Sequence, residues 1–249
     1  MDFELWSVWH FIYLFSPFVI FALLRFIFIK IGSERATNTA SLIIGILSLL
    51  ILITRNVDIY VRSGWDLEII PLQVCHVGSI ITGLALILRK KWMLITGFCF
   101  NMVPAFLAMV FADSLTNYST LWAIRPQAYV WGHILIVVSA LWGIAVYHPT
   151  ANRRDVAISL SVISGILAAA IVSNSALRLI DGWSSNYFYL YNYKGTPLRF
   201  LYDPFPTINI GWFSINPVYV LVLTAVFLAV YFLLLFLVNH YASTRKGKS

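Results

Sequence analysis

Charge is what this sequence has least of. Of its 249 residues only 11% are Asp, Glu, Lys or Arg, where an ordinary soluble domain carries about a quarter. With 10 acidic residues in all, the chain cannot solvate a globular surface, and a water-soluble enzyme is excluded. Cysteine is scarce as well: Cys75 and Cys99 both lie inside apolar runs, so no disulfide framework is implied. There is no H-x-x-x-H or H-E-x-x-H, no internal repeat and no low-complexity linker. The opening MDFELWSVWH is acidic and lacks the basic n-region and small-residue cleavage site of a secretory signal, so the first span is expected to be retained.

What fills the chain is hydrocarbon. Sixty per cent of the residues are hydrophobic and the mean hydropathy is +0.84. Several uncharged stretches exceed the ~18 residues needed to span a bilayer. Seven runs can be marked, at about 5–29, 39–57, 69–88, 92–111, 126–147, 156–177 and 215–239. An open sheet edge cannot stand in lipid and the alternation of a transmembrane barrel is missing, so all seven are read as helices. The expected fold is all-α, a polytopic membrane protein with seven transmembrane helices in a single domain over 1–249.

The net charge of +7 lies in the loops. One side holds Arg25, Lys30, Arg35, Arg89, Lys90, Lys91, Arg153, Arg154, Arg245, Lys246 and Lys248; the other holds Arg55, Arg62, Arg125, Arg178, Lys194 and Arg199. Eleven against six puts the N-terminus outside and the C-terminus in the cytoplasm. Basic residues of this kind mark cytoplasmic loops and call for no nucleic acid. The outer side also carries the only long connection, 178–214, crowded with Tyr, Trp, Phe, Asn and Pro. Such rings can form an interfacial aromatic belt, or the loop can lie as a lid over the outer mouth of the bundle.

Polar residues inside a membrane are costly, and ionisable ones are functional candidates by default. At a rise of ~1.5 Å per residue, His10 falls roughly 8 Å below the outer surface, Cys75 roughly 9 Å and His133 roughly 10 Å. Helices 2, 4 and 6 present Arg55 and Asp58, Asp113, and Asn174 and Arg178 at their outer ends. Every helix but the seventh thus places a polar group near one depth. His76 lies about 100° round the helix from Cys75, on the face of Gln73 and Ser79, and reads as a supporting residue. Each histidine can also be a bundle residue bonded to a neighbouring helix, and a lone buried thiol can be mere packing.

Two chemistries can use this set. Cys75 can attack an acyl carbonyl with His133 or His10 as its base, because an imidazole raises the thiolate fraction. Alternatively, His10, His133 and Asp113 can bind zinc, whose water is then the nucleophile. A transporter or receptor with an outer cavity stands beside both, although no repeat or pair of broken helices marks a carrier. The thiol route needs no cofactor and no metal.

Three stretches carry a resemblance: PLQVCHVGSI, YVWGHILIVVSALWGI, and SSNYFYLYNYKGTP followed by NPVYVLVL. In order and spacing they resemble the YwaF-like family of bacterial integral membrane proteins, with L-P-L-H-x-C at the third helix, a single His early in the fifth and N-Y before the last. The family is related to TMEM-type ether-phospholipid acyltransferases and, more remotely, to androgen-induced lipid-ester hydrolases. The resemblance implies Cys75 as acyl-accepting nucleophile and His133 as base, with Asn186 and Tyr187 matching the N-Y pair. It further implies a phospholipid or other acyl lipid as partner and a bacterial cytoplasmic membrane as location. This chain departs from the pattern in having Gln73 where His is usual and His76 directly after the Cys.

Overall fold

The computed structural model describes residues 3–118, 120–180, 184–194 and 196–246. The seven expected spans are all helical: α1 (Val8–Ile31), α2 (Glu34–Ser63), α3 (Val74–Leu88), α4 (Lys91–Val110), α5 (Ile124–Tyr147), α6 (Arg153–Ala176) and α7 (Pro217–Lys246). Each is long and apolar enough to cross a membrane, α3 when counted from Leu67. Their outer surfaces expose rows of Phe, Leu, Ile and Val, among them Phe15, Leu23, Phe26, Leu47 and Phe236. A surface of that kind suits lipid and not water.

Local chemistry sets the helix ends. Ser7 accepts from the His10 N–H at the start of α1, which stops at Gly32 in the left-handed region (φ 62°). Ser33 then caps α2, so the chain reverses in two residues. Asn152 and Asp155 form a reciprocal capping box at the start of α6. N-terminus, α2–α3 connection, α4–α5 connection and long loop therefore share one end of the bundle, here termed the N-terminal face.

The centre is built from α3, α4 and α5, the most buried spans, with α1, α2, α6 and α7 around them. Gly45 and Gly83 let α2 and α3 touch backbone to backbone: a Cβ on Gly45 would lie 2.6 Å from the Gly83 carbonyl oxygen. Toward the opposite face the bundle is tied by paired hydroxyls. Ser48 meets Ser139 at 3.3 Å, Trp142 donates to Ser41 at 2.8 Å, and Tyr231 donates to Ser159, which also meets Thr96 at 2.7 Å. These buried hydroxyls have partners in one another.

Two helices are irregular where they matter. The sequence reading starts helix 3 near residue 69, but α3 begins only at Val74. Pro71 and a 3₁₀ turn at Leu67–Ile69 interrupt the apolar run. Cys75 consequently sits in the first helical turn and not six residues in. Gln73, the N-cap, makes no side-chain capping bond, so the first N–H groups of α3 have no intrahelical acceptor. In α4 a π-helical turn spans Gly97–Asn101, a feature frequent at functional sites.

The long loop folds into the bundle. Tyr187, Phe188 and Leu190 are buried, Phe188 stacks on Phe100 of α4, and Phe188 and Tyr189 take left-handed backbone (φ 55° and 56°). Farther on, β1 (Ile208–Ile210) and β2 (Phe213–Ile215) pair antiparallel across Gly211, with Asn209 opposite Ser214. Ser175 of α6 binds the Ser214 backbone and fixes this hairpin to the helix end.

Candidate functional site

Four contacts set the heights of the helices. His10 reaches the Met109 carbonyl at 2.8 Å, and the Tyr129 hydroxyl donates to the Ala108 carbonyl at 2.8 Å. Gly97 faces Thr82, and Gly78 faces Ile136. These registers bring Tyr13 of α1, Cys75 of α3 and His133 of α5 to one level, about a turn below the His10–Met109 clasp. Asn101 of α4 lies about one turn further in. Cys75 packs against the apolar cluster that holds Tyr13, Tyr129, Ile136 and Met102.

His10 is not free for chemistry. Its Nδ1 accepts the Trp6 N–H at 2.9 Å, so Nε2 carries the proton given to Met109. Both nitrogens are spent on main chain, Nδ1 on the lead-in to α1 and Nε2 on the tie to α4, in a ring wholly buried. His133 is arranged otherwise. Its Nδ1–H donates to the Tyr129 carbonyl at 2.7 Å, which leaves Nε2 deprotonated in the neutral ring. The Tyr129 ring packs on the imidazole at 4.3 Å between centroids.

Arg55 supplies the charge. Its guanidinium binds the Glu68 carboxylate at 2.6 Å and the Glu68 carbonyl at 3.1 Å, while Asn56 donates to the Ile69 carbonyl. These bonds hold the break before α3. Arg55 acts electrostatically on Cys75, His76 and His133, and the N–H groups of Cys75 and His76 point at the thiol. Burial disfavours negative charge on the sulfur most strongly, and the guanidinium and the helix N-terminus work against it. Above the thiol sits Tyr189. Burial raises its phenol, and the neighbouring Cys75 adds to the effect.

The same level concentrates unpaired polar atoms. Tyr13 Oη, His76 Nδ1 and both amide atoms of Asn101 are buried without a hydrogen-bond partner among the described residues. Each such group costs about 1–3 kcal/mol. A bundle that pairs its hydroxyls in the other half leaves these four buried atoms bare near the level of one half-buried thiol, a polar wall among apolar side chains.

A profile of one membrane-protein family matches residues 5–236, nearly the whole chain. The chain belongs to the TMEM164 family. No curated protein and no solved structure matches it. The match carries a TMEM-type membrane protein.

The remaining residues singled out in this TMEM164-family sequence fall as follows. Asn186 faces its own loop: its amide donates to the Asn192 backbone and side chain and accepts from the N–H groups of Tyr191 and Asn192. Tyr187 donates to the Leu67 carbonyl at 2.9 Å and so ties the loop to the turn before Cys75. Burial, with the Asp66 carboxylate adding to it, pushes its phenol up to about 12. Asn174 holds the Tyr187 backbone at both N–H and C=O, and Arg178 donates to the Ser185 carbonyl and stacks on Tyr191. The Asp113 side chain lies outside the described residues. Among the described residues no three His, Cys, Asp or Glu side chains gather as a metal site, and His10 has no nitrogen to give one.

Sequence reasoning passed over Tyr13, Glu68, Asn101 and Tyr189. Asn101 had a signal, an amide in mid-run at a depth where amides are costly. The seventh helix, expected to contribute nothing, supplies Tyr219, whose hydroxyl holds the Tyr189 carbonyl at 3.0 Å. A groove of about 770 Å³ opens elsewhere. It runs between α1, α2 and α5 toward the opposite face, lined by Ile20, Leu24, Ile43 and Leu47 with Arg35 at its rim, and it touches none of the site residues.

Proposed function

We propose that the chain is a membrane-embedded enzyme that transfers or hydrolyses lipid acyl groups, with Cys75 as nucleophile and His133 as base. The observation that carries this reading is the His133 tautomer: a buried imidazole, fixed through Nδ1 by the Tyr129 carbonyl, holds an unprotonated Nε2 level with a thiol. A free imidazole nitrogen at the level of the sulfur is the base that a cysteine nucleophile requires, and substrate binding closes the pair to hydrogen-bond reach. Arg55 and the open end of α3 stabilise the thiolate, and the Tyr187–Leu190 segment covers it as a lid.

Depth suits an ester substrate. On α2, Arg35 and Arg55 are twenty residues apart, about 30 Å, the thickness of a bilayer's hydrocarbon core. Arg35 at one boundary puts Arg55, and the thiol near it, at the other, where glycerol ester carbonyls lie. The excess of Lys and Arg on the opposite face makes the site extracytoplasmic. The YwaF-like motifs extend this to a bacterial cytoplasmic membrane and to phospholipid acyl chains as substrate.

The test is intact mass spectrometry of the purified protein after incubation with phosphatidylcholine vesicles. An acyl adduct released by hydroxylamine and absent from Cys75→Ser is expected. An unchanged mass, or an adduct that persists in Cys75→Ser, refutes the reading.

A further inference from the structure

A thiolate that attacks an ester must leave the carbonyl electrons somewhere. As the S–C bond forms, the C=O π pair moves onto oxygen, and that oxyanion needs donors already aimed at it. In water any solvent molecule serves, but here the thiol lies among apolar side chains. Tyr13 and Asn101 are the two unpaired buried groups around it that carry N–H or O–H donors on α1 and α4. Tyr13 is level with Cys75 and shares its apolar cluster. Asn101 closes the π turn. About 4.4 residues per turn bring it round to nearly the same face as Gly97, which faces Thr82 of α3. A hydroxyl and an amide with no partner in the resting protein are donors held in reserve, since pairing them would abolish their use.

We propose that Tyr13 Oη and Asn101 Nδ2 form the oxyanion hole of this enzyme and donate to the carbonyl oxygen of an acyl ester bound at Cys75. The assignment rests on the Cys75–His133 reading. His133 Nε2 takes the thiol proton, sulfur bonds to the carbonyl carbon, and the oxygen takes the negative charge between Tyr13 and Asn101. When the C=O reforms, the ester C–O bond breaks and the leaving alkoxide receives the proton from His133. A water or alcohol acceptor then attacks the thioester, giving its proton to His133, and passes through a second oxyanion in the same hole. Collapse expels the Cys75 thiolate. Both groups touch the reacting oxygen, so both are catalytic residues.

Two rates measured on one sulfur separate this role from others. The full-length protein in detergent is treated with p-nitrophenyl octanoate, and Cys75 acylation is followed by peptide mass spectrometry. Alkylation of the same thiol by iodoacetamide is followed in parallel. Alkylation displaces iodide at a saturated carbon and creates no oxyanion. Tyr13→Phe and Asn101→Leu should each slow acylation by about 10²-fold, with alkylation within twofold of the unchanged protein. His133→Ala should slow both. Acylation within twofold of the unchanged protein in both variants overturns the proposal, as does an equal fall in both rates, which would place these groups on the thiol and not on the carbonyl. If the unchanged protein alkylates at Cys75 but never acylates, the Cys75 reading itself fails and takes the proposal with it.

Discussion

Two asparagines provide an internal control on the polar wall. Asn101 and Asn174 are each 1% exposed. Asn174 is fully used: its Nδ2 donates to the Tyr187 carbonyl at 2.9 Å and its Oδ1 accepts the Tyr187 N–H at 2.6 Å. Asn101 has neither bond. Leucine, close in volume, removes the amide from both. At Asn101 it relieves two unsatisfied atoms, about 1–3 kcal/mol each, and branched-end misfit takes back up to about 1.5 kcal/mol. The net gain is about 0.5–6 kcal/mol, or roughly 1–24 °C in Tm for a chain of this size. At Asn174 it strands the Tyr187 N–H and C=O and should cost about 2–5 kcal/mol. Thermal unfolding in detergent, read by tryptophan fluorescence, measures both. A Tm lowered by several degrees in Asn101→Leu would show that the amide is partnered in the folded state, and the polar-wall argument would fail.

His10→Ala removes the clasp between α1 and α4 and leaves the Met109 carbonyl and Trp6 N–H unpaired, costing about 3–5 kcal/mol. The iodoacetamide rate of Cys75 per folded molecule should not change; a large drop would make His10 the base. Tyr187 holds its proton to about 12 when folded and to about 10 when unfolded. Its contribution is therefore complete below about pH 10 and lost as pH rises toward 12. Tyr187→Phe should flatten the alkaline fall in Tm, and an unaltered profile would refute the anchoring role.

Spans could be read from sequence because twenty apolar residues in a row have few other uses. The start of α3 could not, since Pro71 breaks the helix without breaking the hydropathy. Counting residues inward put Cys75 six helical residues deep where α3 starts only at Val74, so its level with His133 rests on the Gly78–Ile136 contact. His10 counted to nearly the same depth, yet it lies a turn higher and spends both nitrogens on main chain. Tyr13 reads in sequence as one more interfacial ring, and its bare hydroxyl exists only once α1 is docked. Asn186 matched a motif and proved to build its own loop. A residue's type and depth are legible from one chain; whether its hydrogen bonds are already taken depends on the neighbouring helices.

The glycine contact between α2 and α3 has a mechanical consequence. It works as a pivot, with Arg55 about 15 Å and Cys75 about 12 Å along the two arms on the same side. Backbones in contact cannot approach further, so stress from the bilayer resolves into rotation about that point. A change of about 5° in crossing angle carries either arm about 1 Å sideways, an offset that can change a rate about a hundredfold. Membrane thickness and lateral pressure thus have a lever on the guanidinium–thiol spacing, with Gly45 and Gly83 as its fulcrum.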